Sequence, residues 1–155
     1  MVYLAISGSS LHCRSDSTDP GWSIQIGEIV LVAEYTTDDG PAVDDYFLVF
    51  VTREYGELFY SSVTMSAAGI NSVMEDLEKH LGGTLELKLF STRRRESRVV
   101  WPRHLAGVEY LEPEEIAPPS GLREQLLRMF RGVRPTYRVS ERIVQALTTT
   151  GPVVN

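Results

Sequence analysis

The chain has 155 residues, 43% hydrophobic, 23% charged and 9% aromatic, which are the proportions of a globular protein and exclude a disordered, collagenous or disulfide-stapled chain. Its formal net charge of −6 is unevenly spread: residues 1–80 carry 3 basic against 13 acidic side chains, whereas residues 81–155 carry 12 against 8. A lone cysteine, Cys13, excludes an intramolecular disulfide and a cysteine metal cluster, and no run approaches the roughly 20 apolar residues of a membrane helix.

Val2, Leu4 and Ile6 alternate with Tyr3 and Ala5 and predict a first strand. The apolar start has no basic leader and stops at Ser7, so a secreted form is not expected and a reducing, cytoplasmic setting is. Residues 7–21 read as a long polar loop. Residues 22–35 are the clearest β region, interrupted at Gly27-Glu28 by a turn or bulge that re-aims the strand. A turn-rich cluster over 36–41 follows. Residues 46–51 and 57–63, joined through Arg53-Glu54-Tyr55-Gly56, predict a β-hairpin.

The period then changes from two to 3.6. Ile70, Val73, Met74, Leu77 and Leu81 form one apolar stripe on a helix near 68–81, with Ser66 expected to cap its start and Gly82-Gly83 to end it. Leu85, Leu87 and Leu89 alternate as a half-buried strand. Residues 97–101 and 107–111 supply one or two more strands, with Pro102 breaking any ladder between them. Residues 112–119, with three prolines and three acids, read as a linker. Beyond it, residues 120–155 form an Arg-rich tail with a helix carrying Leu122, Leu126, Met129 and Phe130. A second short helix from Ser140 carries Ile143, Val144 and Leu147. The expected fold is α+β: an antiparallel sheet or partly open β-roll of five to seven strands within residues 1–111, packed by one amphipathic helix and followed by the linker and tail.

No motif carries catalysis. His12 and Cys13 are neighbours, but adjacent side chains on an extended chain point apart. His80 and His104 lack metal-binding spacing, and His80 suits a helix C-terminus, where a cation is favourable. Asp38-Asp39 and Asp44-Asp45 flank one loop without the spacing of a calcium loop, and no glycine pattern matches a phosphate-binding loop. No metal or other cofactor is expected, and an enzyme using Cys13 or an acidic pair at an unrecognised site stands as the third alternative, behind protein and nucleic-acid binding.

Arginine is the informative feature. Arg93, Arg94, Arg95, Arg98 and Arg103 cluster before the linker, and Arg123, Arg128, Arg131, Arg134, Arg138 and Arg142 stud the tail, against one lysine in the same half. Arginine binds planar anions bidentately and tolerates burial at interfaces. Acidic protein surfaces, including residues 1–80 of this chain, and nucleic-acid phosphates both qualify as the anion. An acidic whole chain lacks the footprint of a nucleic-acid binder, so a protein partner or self-association is expected first. Arg93, Arg94, Arg95, Arg98, Arg123, Arg128 and Arg131 would serve as contacts, with Leu126 and Phe130 as the apolar stripe of the tail.

The segments Ile26-Gly27-Glu28-Ile29, Glu34-Tyr35-Thr36-Thr37-Asp38 and Asp45-Tyr46-Phe47-Leu48-Val49-Phe50, with the helix from Gly69-Ile70 through Leu77 to Leu81-Gly82, resemble small bacterial proteins of pleckstrin-homology-like or β-roll shape. The likeness covers residues 24–81. Ser61-Ser62 depart from it where acidic residues are expected, and the C-terminal half has no counterpart. The resemblance implies an interaction or immunity-type module and carries over no catalytic residue.

Overall fold

Leu4, Leu11, Cys13 and Ile24 are buried, each at an inward position of one of three short strands. These strands, β1 (Val2–Ser7), β2 (Ser10–Ser15) and β3 (Trp22–Gln25), pair antiparallel in the order β1-β2-β3. The chain is seen here in a computed structural model that describes residues 1–18, 20–38, 44–92, 94–113 and 137–149. It divides into two compact units, Met1–Tyr110 and Leu111–Asn155. Strand β2 lies inside the stretch expected to be a loop, because Leu11 and Cys13 alternate with His12 and Arg14, and a partner on each side compensates for so few apolar residues.

A 3₁₀ turn at Ile26–Glu28 redirects the chain at the Gly27-Glu28 interruption, so the strands before and after it join different sheets. β4 (Ile29–Thr36), β5 (Tyr46–Glu54), β6 (Glu57–Thr64) and β7 (Glu96–Trp101) form an antiparallel sheet in the order β6-β5-β4-β7, with a register shift at Ile29/Leu31. The fold is α+β as expected, and this unit has seven named strands among the described residues, within the expected five to seven but divided between two sheets instead of forming one. One face of the larger sheet contributes Val32, Leu48, Phe50, Val63 and Val100 to a core shared with Leu4, Leu11, Ile24, Ile70, Val73 and Leu77. The opposite face carries Leu31, Ala33, Val49, Val51 and Val99, also buried.

The helix α1 (Ile70–Leu81) buries the predicted stripe through Ile70, Val73 and Leu77. Full burial of a side chain such as Leu77 contributes about 1.5–3 kcal/mol. Its N-terminus is not capped by Ser66, whose hydroxyl instead meets Thr64 and Asp44. Gly69 occupies that position with φ 86°, and an added Cβ would collide with the Leu4 carbonyl, so only glycine lets β1 approach the helix start. Gly82, at φ 69°, ends the helix as expected.

The segment over 84–89 is not a strand, although Leu85 and Leu89 are buried. Two of its backbone donors are taken by carboxylates instead of a ladder: Leu85 N–H by Glu78 (3.0 Å) and Lys88 N–H by Glu34 (2.8 Å). Residues 107–108 likewise form no named strand, yet hydrogen-bond along β7 through Val99.

In the second unit, β8 (Leu111–Pro113) pairs antiparallel with β9 (Tyr137–Val139), so the first two positions of the expected linker, Glu112 and Pro113, belong to a strand. Helix α2 (Glu141–Thr149) follows Ser140 and buries Ile143 and Leu147, while Val144 stays exposed. The Glu112 carboxylate receives both Arg138 Nε and the Glu141 N–H at 3.0 Å. The expected helix near 122–131 and residues 114–119 of the linker lie outside the described residues. Among the described residues, no helix is long and apolar enough to cross a membrane.

Candidate functional site

Sheet edges expose backbone donors and acceptors, and three of the four outer strands of the Met1–Tyr110 unit are covered or short. At β1, Leu4 N–H donates to the Ala68 carbonyl (2.9 Å) and Ala68 N–H to that of Val2 (2.8 Å). At β7, Val99 N–H donates to the Val108 carbonyl (2.8 Å) while its own carbonyl accepts from Gly107 (2.9 Å). β3 has only four residues. The remaining edge of that unit, β6, has eight residues and, among the described residues, no strand on its outer side.

Register decides which groups that edge presents. Met65 N–H bonds to the Tyr46 carbonyl (2.9 Å) and the pairing runs Phe47↔Thr64 to Glu54↔Glu57, so odd-numbered β6 residues bond inward to β5. Leu58, Tyr60 and Ser62 therefore direct N–H and C=O outward. The Ser62 carbonyl accepts Trp22 Nε1 at 3.1 Å, which ties β3 to this edge. The outward groups of Leu58 and Tyr60 meet no hydrogen-bond partner among the described residues. Phe59 and Tyr60 are 45% and 47% exposed on opposite faces of the strand. β6 contains no Pro, Gly, Lys or Arg, the residues that commonly blunt an edge.

Beside the Ser62 end of β6 opens a cleft of about 500 Å³ whose wall includes Arg14, Gly21, Trp22, Asp44, Tyr60 and Ser62. Gly21 holds φ 71° against the Cys13 carbonyl, where a Cβ would clash, and this brings Trp22 close to β2. Trp22 packs tilted on Phe50 with ring centroids 5.9 Å apart. Arg14 is exposed and has no acidic partner among the described residues. At the other end of β6 the hairpin turns through Tyr55 (φ 52°) and Gly56 (φ 81°), a pair of left-handed residues suited to a two-residue hairpin. Tyr55 is fully exposed, and holding a tyrosine in that conformation costs about 1–3 kcal/mol. Glu54 and Glu57 flank it, and Glu28 lies against Glu54: a hydrogen bond that the protonated Glu28 carboxyl donates to Glu54, then burial and charge repulsion, push the Glu28 carboxyl above its usual range.

The face of Tyr60 carries Leu58 and, opposite it on β5, Arg53. Tyr35 stacks on Phe47 at 5.0 Å, and burial pushes Tyr35, Tyr60 and Tyr110 upward as acids, Tyr110 also through its proximity to the other two.

Of the arginines expected to bind a partner, Arg94, Arg95 and Arg98 meet carboxylates of this chain. Arg98 Nη1 lies 2.8 Å from Glu34 Oε1 and 2.9 Å from the Glu86 carbonyl, directly across the β4·β7 ladder, with Glu34 fully buried. Tyr46 donates its hydroxyl to the other Glu34 oxygen, and burial, then this contact, push the phenol upward. Arg95 pairs with Asp38 at 3.2 Å and Arg94 with Glu96 at 3.0 Å. Arg93, Arg123, Leu126, Arg128, Phe130 and Arg131 lie outside the described residues. The structure therefore brings Arg95 and Arg98 together with acids of residues 1–80 rather than with each other.

His12 and Cys13 fall on opposite faces of β2, with His12 Nδ1 3.0 Å from Ser23 Oγ and Cys13 buried. His80 Nδ1 contacts the Asp76 carbonyl at 2.8 Å in the last turns of α1. Among the described residues, no three His, Cys, Asp or Glu side chains converge to hold a metal ion. Charge counting pointed away from the β6 edge, which becomes visible only once the strand order is known. Glu34 did leave a signal, as a single acid within the apolar run of β4. No family model, curated protein or solved structure matches the chain.

Proposed function

We propose that the protein is a protein-binding module, not an enzyme, and that it takes up an extended polypeptide strand on the free edge of β6. The observation that carries this reading is the run of outward backbone groups at Leu58 and Tyr60 that meet no partner among the described residues, with exposed Phe59 and Tyr60 on a strand that holds no proline or lysine. An incoming strand recovers those hydrogen bonds and covers the aromatics, which is how edge addition gains affinity. The alternative of nucleic-acid binding through Arg93, Arg94 and Arg95 draws less support, since Arg94 and Arg95 already face carboxylates.

A photo-crosslinking side chain at Leu58, introduced into the full chain in its native cells, tests this. Adducts at 58 that are missing from the same label at Glu75, exposed on α1, are the expected result. Equal labelling at both positions sinks the reading.

A further inference from the structure

We infer that the strand taken up by β6 is β6 of a second copy of this chain, joined antiparallel about a two-fold axis that passes through Phe59. This inference rests on the protein-binding reading of the same edge and names its partner.

The free groups match themselves. In that register Leu58 lies opposite Tyr60 of the second copy, and their outward N–H and C=O groups bond reciprocally, doubled by the two-fold. Both residues that lack partners are satisfied, and Ser62, whose carbonyl Trp22 occupies, stays out of the ladder. Of the neighbouring registers about the same kind of axis, the one centred on Ser61 draws Ser62 in and crowds the indole, and the one centred on Glu57 sets two glutamates face to face. On one face Tyr60 meets Leu58 of the other copy, and on the other Phe59 meets Phe59, so both exposed rings are covered. Glu57 falls opposite Ser61, and no like charges face each other in the ladder.

Charge complementarity extends beyond the strand. Antiparallel pairing carries the hairpin turn of one copy, with Glu54, Tyr55 and Glu57, toward the Ser62 end of the other, where the cleft opens and exposed Arg14 has no acid of its own. Tyr55, which the fold holds in a costly conformation and leaves wholly exposed, gains an aromatic-walled recess at Trp22. The cleft wall also holds Asp44, which Ser66 hydrogen-bonds, so the acidic tip meets Arg14 as the cation of that wall, twice across one axis.

Sedimentation equilibrium of the full chain, with variants, tests the pairing. The unmodified chain is expected to show a reversible monomer–dimer equilibrium. Leu58→Pro removes an outward N–H that β5 does not use, so it should leave circular dichroism and melting unchanged while weakening dimerisation at least 100-fold. Tyr55→Asn relieves the turn, so it should raise the melting temperature of the monomer yet weaken the dimer about tenfold, a pairing of effects that a merely structural tyrosine does not give. Phe59→Cys places two thiols across a close, non-hydrogen-bonded pair, about 4.5 Å between Cα atoms, and should form an interchain disulfide in air. Cys13, buried, should not. A chain that stays monomeric at millimolar concentration, a dimer indifferent to both Leu58→Pro and Tyr55→Asn, or a Phe59→Cys chain that stays reduced would overturn the inference. If crosslinks at 58 then join a different protein, the binding reading survives and only the identity of the partner fails.

Discussion

The two margins of the four-stranded sheet handle polar groups in opposite ways. At the β7 margin, Glu34, Arg98, Tyr46 and the Lys88 amide form one closed network, Arg95 and Arg94 have acids, and Val99 bonds outward to residues 107–108. At the β6 margin, aromatic rings are exposed and the outward backbone groups of Leu58 and Tyr60 meet no hydrogen-bond partner among the described residues. Conspicuous charge at the β7 margin is thus met within the fold, whereas the middle of β6, from Leu58 to Ser62, carries no charged side chain. Arginine clusters advertise anion binding, but a chain with 13 acids in its first 80 residues supplies some of those anions itself.

Four substitutions sharpen the contrast. Glu34→Ala is expected to be the most damaging, lowering unfolding free energy by about 3–5 kcal/mol in denaturant titrations, because it strands the largely buried Arg98 guanidinium, the Tyr46 hydroxyl and the Lys88 amide together. A loss below about 1 kcal/mol would show that water replaces the carboxylate and that the network is not closed. Trp22→Phe keeps the ring and deletes the bond to Ser62, so a loss of about 0.5–1.5 kcal/mol is expected. Unchanged stability would mean the indole N–H is equally well solvated in the absence of β6.

Glu28→Gln tests the acidic corner by its pH dependence. The folded carboxyl is held above its ordinary value of 4.5, so below that value both states are protonated and nothing differs. As pH rises, the unfolded chain ionises first and stability falls until the folded carboxyl also ionises. The glutamine variant should lack that decline and gain in relative melting temperature between about pH 4 and pH 7, and parallel curves would remove the Glu28–Glu54 contact from the account. Arg94→Ala should change stability by less than about 0.5 kcal/mol, since the Arg94 side chain is 85% exposed and its pair with Glu96 is screened.

Much of the local structure was legible in the pattern of residues. The stripe from Ile70 to Leu81 specified α1, alternation in residues 46–63 specified the hairpin, and Gly27-Glu28 marked the redirection between β3 and β4. Elements with few apolar residues were not. β2 hides behind Ser10, His12 and Arg14, and residues 85–89 alternate like a strand although Glu78 and Glu34 take two of their amides. In both cases the deciding partner is distant along the chain: β3 for the one, a carboxylate on β4 for the other.

The same division holds for the candidate site. Composition alone determined the acidic and basic halves, the single cysteine and the apolar periodicities, because these are properties of the order of residues. Which strand stands at an edge, whether Arg98 is free or buried against Glu34, and which of Leu58, Phe59 and Tyr60 point their amides outward were decided by strand order and register. A side chain's period is written in its own segment, but the partner of a hydrogen bond is chosen by the strands that come to lie beside it.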